Sequence, residues 1–233
     1  MTKATLIIAD DHPLFRAALK QAVFRYVPAV EIIEASSLDT LQRAVVDHPD
    51  ADLVLLDLMM PGAKGFSSLV FLRAQYPTVP VVVVSAAEDA TVIKRALDFG
   101  ASGFIPKSAR IETIGEMLRI VLGGGIAAPR LPGRVNGVEE RDGELARRLA
   151  SLTPQQLKVL VMLAEGESNK YIAGSLAITE ATVKAHITAI LRKLGVERRT
   201  QAAIIAQRLL QTGEGANVDA LDDGVDQSRG SDS

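Results

Sequence analysis

Apolar residues in the first half of the chain fall in short, unbroken runs separated by amphipathic stretches. Leu6-Ile7-Ile8-Ala9, Leu53-Val54-Leu55-Leu56 and Val81-Val82-Val83-Val84 are too short for helices, and breakers flank them. Such runs read as strands buried on both faces of a parallel sheet. The pattern predicts strands near residues 4–10, 30–35, 52–57, 80–85 and 102–105, with helices near 13–26, 38–47, 65–75, 89–99 and 110–122. Strand–helix alternation of this kind builds a doubly wound α/β domain around a five-stranded parallel sheet. After Gly123-Gly124-Gly125 the pattern changes. Pro129, Pro132, Gly133, Gly137 and Gly143 mix with charged residues and read as a linker. Residues 145–211 lack strand runs and read as about four helices, and from Gly213 bulky apolar side chains almost vanish, as in disordered segments. The expected division is 1–123, an α/β domain; 124–144, a flexible linker; 145–212, an all-α domain; and 213–233, a disordered acidic tail.

Composition adds three constraints. The 233 residues are 48% hydrophobic, enough for one large core or two smaller ones, yet no apolar stretch reaches the roughly 18 residues of a membrane span. The start, Met1-Thr2-Lys3-Ala4, lacks the layout of a signal peptide, and there is no cysteine, which suits a reducing cytoplasm. The net charge of −2 conceals a division: residues 1–123 carry −2, residues 124–144 −1, residues 145–212 +6 and residues 213–233 −5. A compact basic segment sits inside an acidic total.

The chemistry lies where the strands end. The first run meets Asp10-Asp11, the third strand Asp57 and the fourth Ser85; Phe104-Ile105 is followed, after Pro106, by Lys107. Carboxyl ends of strands in an open parallel sheet share one edge, where ligands bind. Three carboxylates at that edge repel one another by several kcal/mol per close pair at an effective dielectric of about 20. A hard, oxygen-seeking divalent cation, Mg²⁺, relieves that repulsion. One carboxylate can then attack a phosphoryl group, with Lys107 and Ser85 holding the transferred oxygens. The plainer reading is that each strand-end acid caps the helix behind it; the matched positions together favour the phosphoryl site.

At these residues the chain resembles the receiver domain of bacterial two-component response regulators. The likeness covers residues 4–122, through Asp10-Asp11-His12-Pro13-Leu14, Asp57-Leu58-Met59-Met60-Pro61-Gly62, Ser85-Ala86 and Gly103-Phe104-Ile105-Pro106-Lys107-Ser108. It implies a flavodoxin-like sheet, phosphorylation of Asp57 by a sensor histidine kinase, and Mg²⁺ held by Asp11, Asp57 and the Met59 carbonyl, with Asp10 acting mainly through water. It also implies that Ser85 and Phe104 form a switch pair, whereas the plain reading of Phe104 is an ordinary core aromatic. Apolar Met59 and Ala87, at positions that tune dephosphorylation in that family, imply a long-lived phosphoryl state.

In the basic segment, Leu152-Thr153-Pro154-Gln155-Gln156-Leu157 has the signature of a helix start. Thr153 caps, Pro154 takes the first helical position, Gln156 completes a capping box, and Leu152 and Leu157 form a hydrophobic staple. A later helix runs from Thr179 to Gly195, with Val183, Ile187, Ile190, Leu191 and Leu194 on one stripe and Lys184, Ala185, Thr188 and Arg192 opposite. A cationic, short-chained outer stripe backed by a core stripe fits a major groove; charge alone fits a solvated basic surface equally well. Residues 152–206 resemble the helix-turn-helix domain of the LuxR/NarL class, through Leu152-Thr153-Pro154, Ala164-Glu165-Gly166, Ser168-Asn169-Lys170, Thr182-Val183-Lys184-Ala185-His186 and Leu191-Arg192-Lys193-Leu194-Gly195-Val196, among others. The resemblance implies a four-helix domain on double-stranded DNA, with Lys184, Ala185 and Thr188 facing bases and Asn169, Lys170, Thr182, Arg192 and Lys193 near phosphates. Gln156 and Tyr171 depart from the glutamates usual in that class; Gln156 keeps the capping hydrogen bond, and Tyr171 is left to pack or to touch the DNA backbone.

The expected function is a DNA-binding transcriptional regulator, not an enzyme, controlled by phosphorylation and acting as a homodimer, with no membrane partner. The receiver is expected to cover the recognition helix until Asp57 is phosphorylated. Two rivals stand beside it: a constitutive DNA-binding regulator using the receiver only for dimerisation, and a Mg²⁺-dependent phosphohydrolase, which the apolar Met59 two residues beyond Asp57 disfavours.

Overall fold

The computed structural model describes residues 3–129 and 139–210. Five strands, β1 (Ala4–Ala9), β2 (Val30–Ala35), β3 (Leu53–Asp57), β4 (Val81–Ser85) and β5 (Gly103–Pro106), alternate with α1 (Pro13–Tyr26), α2 (Leu38–Asp47), α3 (Ser67–Gln75), α4 (Ala90–Asp98) and α5 (Ile111–Leu122). The strands are parallel in the order β2-β1-β3-β4-β5. Strand order reverses between β1 and β3, and such a switch point opens a crevice at the carboxyl edge. β3 and β4 are buried at every position, as unbroken aliphatic runs require. One layer of the core, with Leu6, Ile8, Leu19, Val23, Ile114 and Leu118, lies under α1 and α5. The other, with Ile7, Val54, Leu56, Phe66, Leu69 and Phe104, lies under the helices of the opposite face.

Beyond α5 the chain does not become a linker at once. Residues 124–129 return to the sheet, where Ala127 bridges Gly103 and its carbonyl accepts the Phe104 N–H at 2.8 Å, covering the edge of β5. A helix then begins earlier than the sequence pattern predicts: α6 (Glu139–Ala150) starts inside the stretch read as linker. Charged residues fill its first turns, so the apolar spacing that marks a helix emerges only at Leu145 and Leu149. Residues 130–138 of the expected linker, and the expected tail 213–233, lie outside the described residues.

Four helices follow: α7 (Pro154–Ala164), α8 (Asn169–Ser175), α9 (Glu180–Leu194) and α10 (Arg199–Leu210). The capping box forms as the sequence requires, with the Gln156 N–H donating to Thr153 Oγ1 at 3.3 Å and the Thr153 N–H to Gln156 Oε1 at 3.1 Å. Ser168 and Thr179 cap α8 and α9, and Gly195, at φ +67°, ends α9 in the left-handed conformation that glycine adopts without strain. Leu152, Leu160, Leu163, Ile172, Val183, Ile190, Leu194, Ala206 and Leu209 form the core of this unit. Among the described residues no helix is long and apolar enough to cross a membrane.

Candidate functional site

Strand register brings the acidic residues together. Ala9 pairs with Leu56, Asp57 with Val84 and Ser85 with Pro106, so Asp10, Asp57, Ser85 and Lys107 leave the sheet side by side. Asp10 and Asp57 are buried, at 0% and 1% exposure, while Asp11 is partly open to solvent. Lys107 Nζ lies 2.7 Å from Asp57 Oδ2 and 2.8 Å from Asp10 Oδ2. Burial opposes the Lys107 charge, but the two carboxylates outweigh it and hold its pKa above the ordinary lysine value. The Phe15 ring, 5.0 Å from the ammonium, adds a cation–π contact. Asp57 Oδ1 accepts the Met59 N–H at 3.1 Å, and the Ser85 hydroxyl accepts the Ala87 N–H at 3.1 Å. The Lys107 N–H donates to the Ser85 carbonyl at 2.8 Å, fixing the β5 end beside the β4 end.

Ligand atoms of Asp10, Asp11, His12 and Asp57 lie within 4.8 Å of one another. At that spacing each like-charged pair costs roughly 3 to 4 kcal/mol at an effective dielectric of about 20. Lys107 neutralises one of the three carboxylates, so the cluster keeps a formal charge of about −2. Oxygen donors with surplus negative charge suit a hard divalent cation better than a thiolate- or imidazole-seeking one. His12 is the member sequence reasoning missed: its Nδ1 lies 2.8 Å from Asp11 Oδ1 and 3.9 Å from Asp57 Oδ2, and its N–H donates to Asp10 Oδ1 at 2.7 Å. Its place directly after Asp10-Asp11 was the available signal. Arg16, one helical turn on, donates to the Asp10 carbonyl at 2.6 Å and to Glu34 at 2.7 Å, which holds the β1 end to α1 and β2. Phe104 of β5, paired with Val83 of β4, is fully buried in the core layer that also holds Phe66 and Phe99.

The second candidate surface is the outer stripe of α9. Lys184, Ala185, Thr188 and Arg192 are exposed along it, and the Thr188 hydroxyl donates back to the Lys184 carbonyl at 3.1 Å. Lys170 is exposed at the start of α8, while Asn169 and Thr182 are half-buried. Asn169 Oδ1 accepts from Arg199 at 2.6 Å, and Arg199 also donates to the Glu167 carbonyl, so Asn169 joins α8 to α10. Lys193 turns inward: its ammonium donates to the Ser151 carbonyl at 2.6 Å and to Gln156 Oε1 at 2.8 Å, tying the end of α9 to the start of α7. Arg148 of α6 donates to the Leu194 carbonyl at 2.8 Å, a cation at a helix C-terminus. Tyr171 does not pack; it stands 57% exposed. The α/β unit does not cover α9, contrary to expectation: it packs on α6, α7 and the end of α10, leaving the outer stripe open.

Two family models match. Residues 6–119 fit the response regulator receiver domain, and residues 150–206 fit the bacterial regulatory proteins of the luxR family. The glycerol metabolism activator of Pseudomonas putida is 43% identical over 208 residues, covering 86% of this chain and 94% of that protein. The nitrate/nitrite response regulator protein NarL of Escherichia coli K12 is 30% identical over 203 residues, covering 86% of this chain and 94% of its own length. Among solved structures, the two-component response regulator RcsB–DNA complex has a similar fold, with a TM-score of 0.50, 21% identity and cover of 90% of this chain and all of that one. With a buried aspartyl–lysine cluster at the receiver's switch point and a luxR-type helical domain behind it, the chain belongs to the response regulators of the NarL/LuxR class.

Proposed function

We propose that the chain is a phosphorylation-controlled transcriptional regulator that takes a phosphoryl group on Asp57 from a sensor histidine kinase and binds duplex DNA through α9. The observation that carries this reading is Asp57 itself, a buried carboxylate with Lys107 at 2.7 Å and two further carboxylates beside it. An Asp57 oxygen attacks the phosphorus of a phosphohistidine, the P–N bond breaks, and the product is an aspartyl phosphate. Lys107 moves its ammonium from the free carboxylate onto the transferred oxygens, and the Ser85 hydroxyl supplies a further hydrogen bond. Asp10, Asp11, Asp57 and the Met59 carbonyl would hold Mg²⁺, which supplies charge neutralisation for the incoming phosphoryl oxygens. Met59, 61% exposed and apolar, offers attacking water no group to orient it, in keeping with a long-lived phosphoryl state and a regulator rather than a hydrolase.

In the basic unit Lys184, Ala185 and Thr188 would read base edges, with Lys170, Thr182 and Arg192 on phosphates. Asn169 and Lys193 hold the frame in which these residues are presented, and Asn169 keeps amide donors for a phosphate. We divide the chain into a receiver (1–123), a connecting segment (124–144) that includes the start of α6, the DNA-binding domain (145–212) and the acidic tail (213–233). The relatives' dimers and DNA complexes support a homodimer on DNA, and the cysteine-free composition supports a cytoplasmic location. The test is labelling by acetyl phosphate with and without Mg²⁺, followed by peptide mapping. Label at residue 57 that requires the metal and is lost in Asp57→Asn is expected; label elsewhere, or none, contradicts the reading.

A further inference from the structure

Residues 213–233 lie beyond the match to the luxR family and carry Glu214, Asp219, Asp222, Asp223, Asp226 and Asp232 against one cation, Arg229, a net charge of −5. Four of these acids stand at positions 219, 222, 223 and 226, the i, i+3, i+4, i+7 spacing that puts side chains on one face of a helix. Val218, Leu221 and Val225 fall on the other side of the same helical projection. The preceding domain, residues 145–212, carries +6, and several of its cations are already engaged. Arg147 and Arg148 pair with Glu144, Lys193 bonds Ser151 and Gln156, and Arg199 bonds Asn169 and Glu167. Lys170, Lys184 and Arg192 are exposed, and their side chains have no ion pair or hydrogen bond among the described residues.

We propose that residues 218–226 dock their acidic face on the cationic outer stripe of α9, where they compete with duplex DNA as a tethered, weaker polyanion. The dimensions agree. In helical form, positions 219 to 226 span about 10 Å, and Lys184 to Arg192 on α9 span about 12 Å. From Leu210, the last residue of α10, to Asp219 the chain reaches at most about 32 Å, more than the roughly 22 Å length of α9. Each exposed carboxylate–cation contact is weak on its own. Tethering holds the segment at an effective concentration of roughly millimolar order, so a weak sum suffices to occupy the stripe. Duplex DNA, with one charge per roughly 1.7 Å of its axis, displaces it. Because these charges meet in water, the contact fades as salt screens them. The docking rests on charge and spacing alone; its effect on DNA rests on the reading of α9 as the DNA-binding surface.

Two measurements on the full chain decide it. A zero-length carbodiimide joins carboxylates to adjacent lysine amines, and peptide mapping should find Asp219, Asp222, Asp223 or Asp226 linked within one chain to Lys184 or Lys170. Bound duplex DNA should remove these links. Their absence, or links that bound duplex leaves unchanged, overturns the docking. Leu221→Asp, Asp222→Leu, Val225→Asp and Asp226→Val together keep the composition but split the acidic face. They should lower the yield of links severalfold, and an undiminished yield overturns the helical match. Asp219→Asn, Asp222→Asn, Asp223→Asn and Asp226→Asn together should raise affinity for a non-operator duplex about threefold or more at about 50 mM salt, and less than about twofold at about 300 mM. The salt dependence of the variant is then the steeper of the two. Equal affinity of variant and parent at low salt, or the same gain at both salts, overturns the competition, while the links decide the docking. Failure of both chains to bind any duplex contradicts the reading of α9 and with it the competition, and the links formed without DNA still decide the docking.

Discussion

The acidic edge of the receiver and the outer stripe of α9 carry their chemistry in opposite ways. At the sheet edge a few charges are buried, touch one another and depend on strand register, so each group sets the state of the rest. Along α9 the groups are exposed, separated and individually weak, and their effect is a sum over many contacts. One residue should therefore decide the behaviour of the first region, whereas the second should degrade by steps.

The sharpest way to break this comparison is Asp57→Asn, which should abolish labelling by acetyl phosphate altogether, read by phosphate-affinity gel. Residual label of more than a small fraction would mean that the cluster has a second acceptor. Next in size is Phe104→Ala: removing a fully buried ring should cost about 3–5 kcal/mol of stability, measured by urea unfolding of the full chain. The same loss at a half-exposed ring would be far smaller, so this variant tests whether Phe104 is a core member first and a switch second.

Smaller effects belong to the helical unit. Lys184→Ala should weaken DNA binding by about 1 kcal/mol or somewhat more if it reads a base. Lys170→Ala, as a phosphate contact, should weaken all sequences alike and lower the salt-dependence slope by about one. Lys193→Ala should instead act on the fold, lowering the melting temperature more than the salt slope, because its ammonium is spent on Ser151 and Gln156. Thr153→Ala removes a helix cap and should cost roughly 1 kcal/mol.

The smallest effect is one of pH. Hydrogen bonds from Lys20 and Arg16 hold the Glu34 carboxyl below its ordinary value of 4.5. A carboxyl lowered in the folded state binds fewer protons there than when unfolded. Its contribution is thus present above the unfolded value and is lost as pH falls through the folded one. Solvent screening limits this to roughly 0.2–0.5 kcal/mol. Acid unfolding curves of Glu34→Gln and the parent chain should converge at low pH and separate only slightly above pH 5.

The receiver was the more legible unit because burial on both faces leaves unbroken aliphatic runs, and each observed strand begins and ends within a residue of where those runs place it. Asp10, Asp11, Asp57 and Lys107 were readable for the same reason: strand ends in a parallel sheet share an edge. What the runs could not convey was lateral detail. His12 comes close to Asp11 and Asp57 only through the turn into α1, and Lys193 points inward only because α7 starts beneath it. The early start of α6 was hidden because its first turns are polar and carry no apolar period. The receiver sits on α6, α7 and the end of α10, not on α9, in part through a close backbone approach at Gly65, and backbone contacts leave no mark in side-chain patterns.

The central claim is that phosphoryl charge stored at Asp57 governs how strongly the basic domain holds DNA. The direct measurement is a footprinting titration, at one fixed salt concentration, of the parent chain, Asp57→Asn, and the parent chain treated with acetyl phosphate and Mg²⁺. The treated parent should protect its operator at lower protein concentration than the other two; identical protection by all three would contradict the claim.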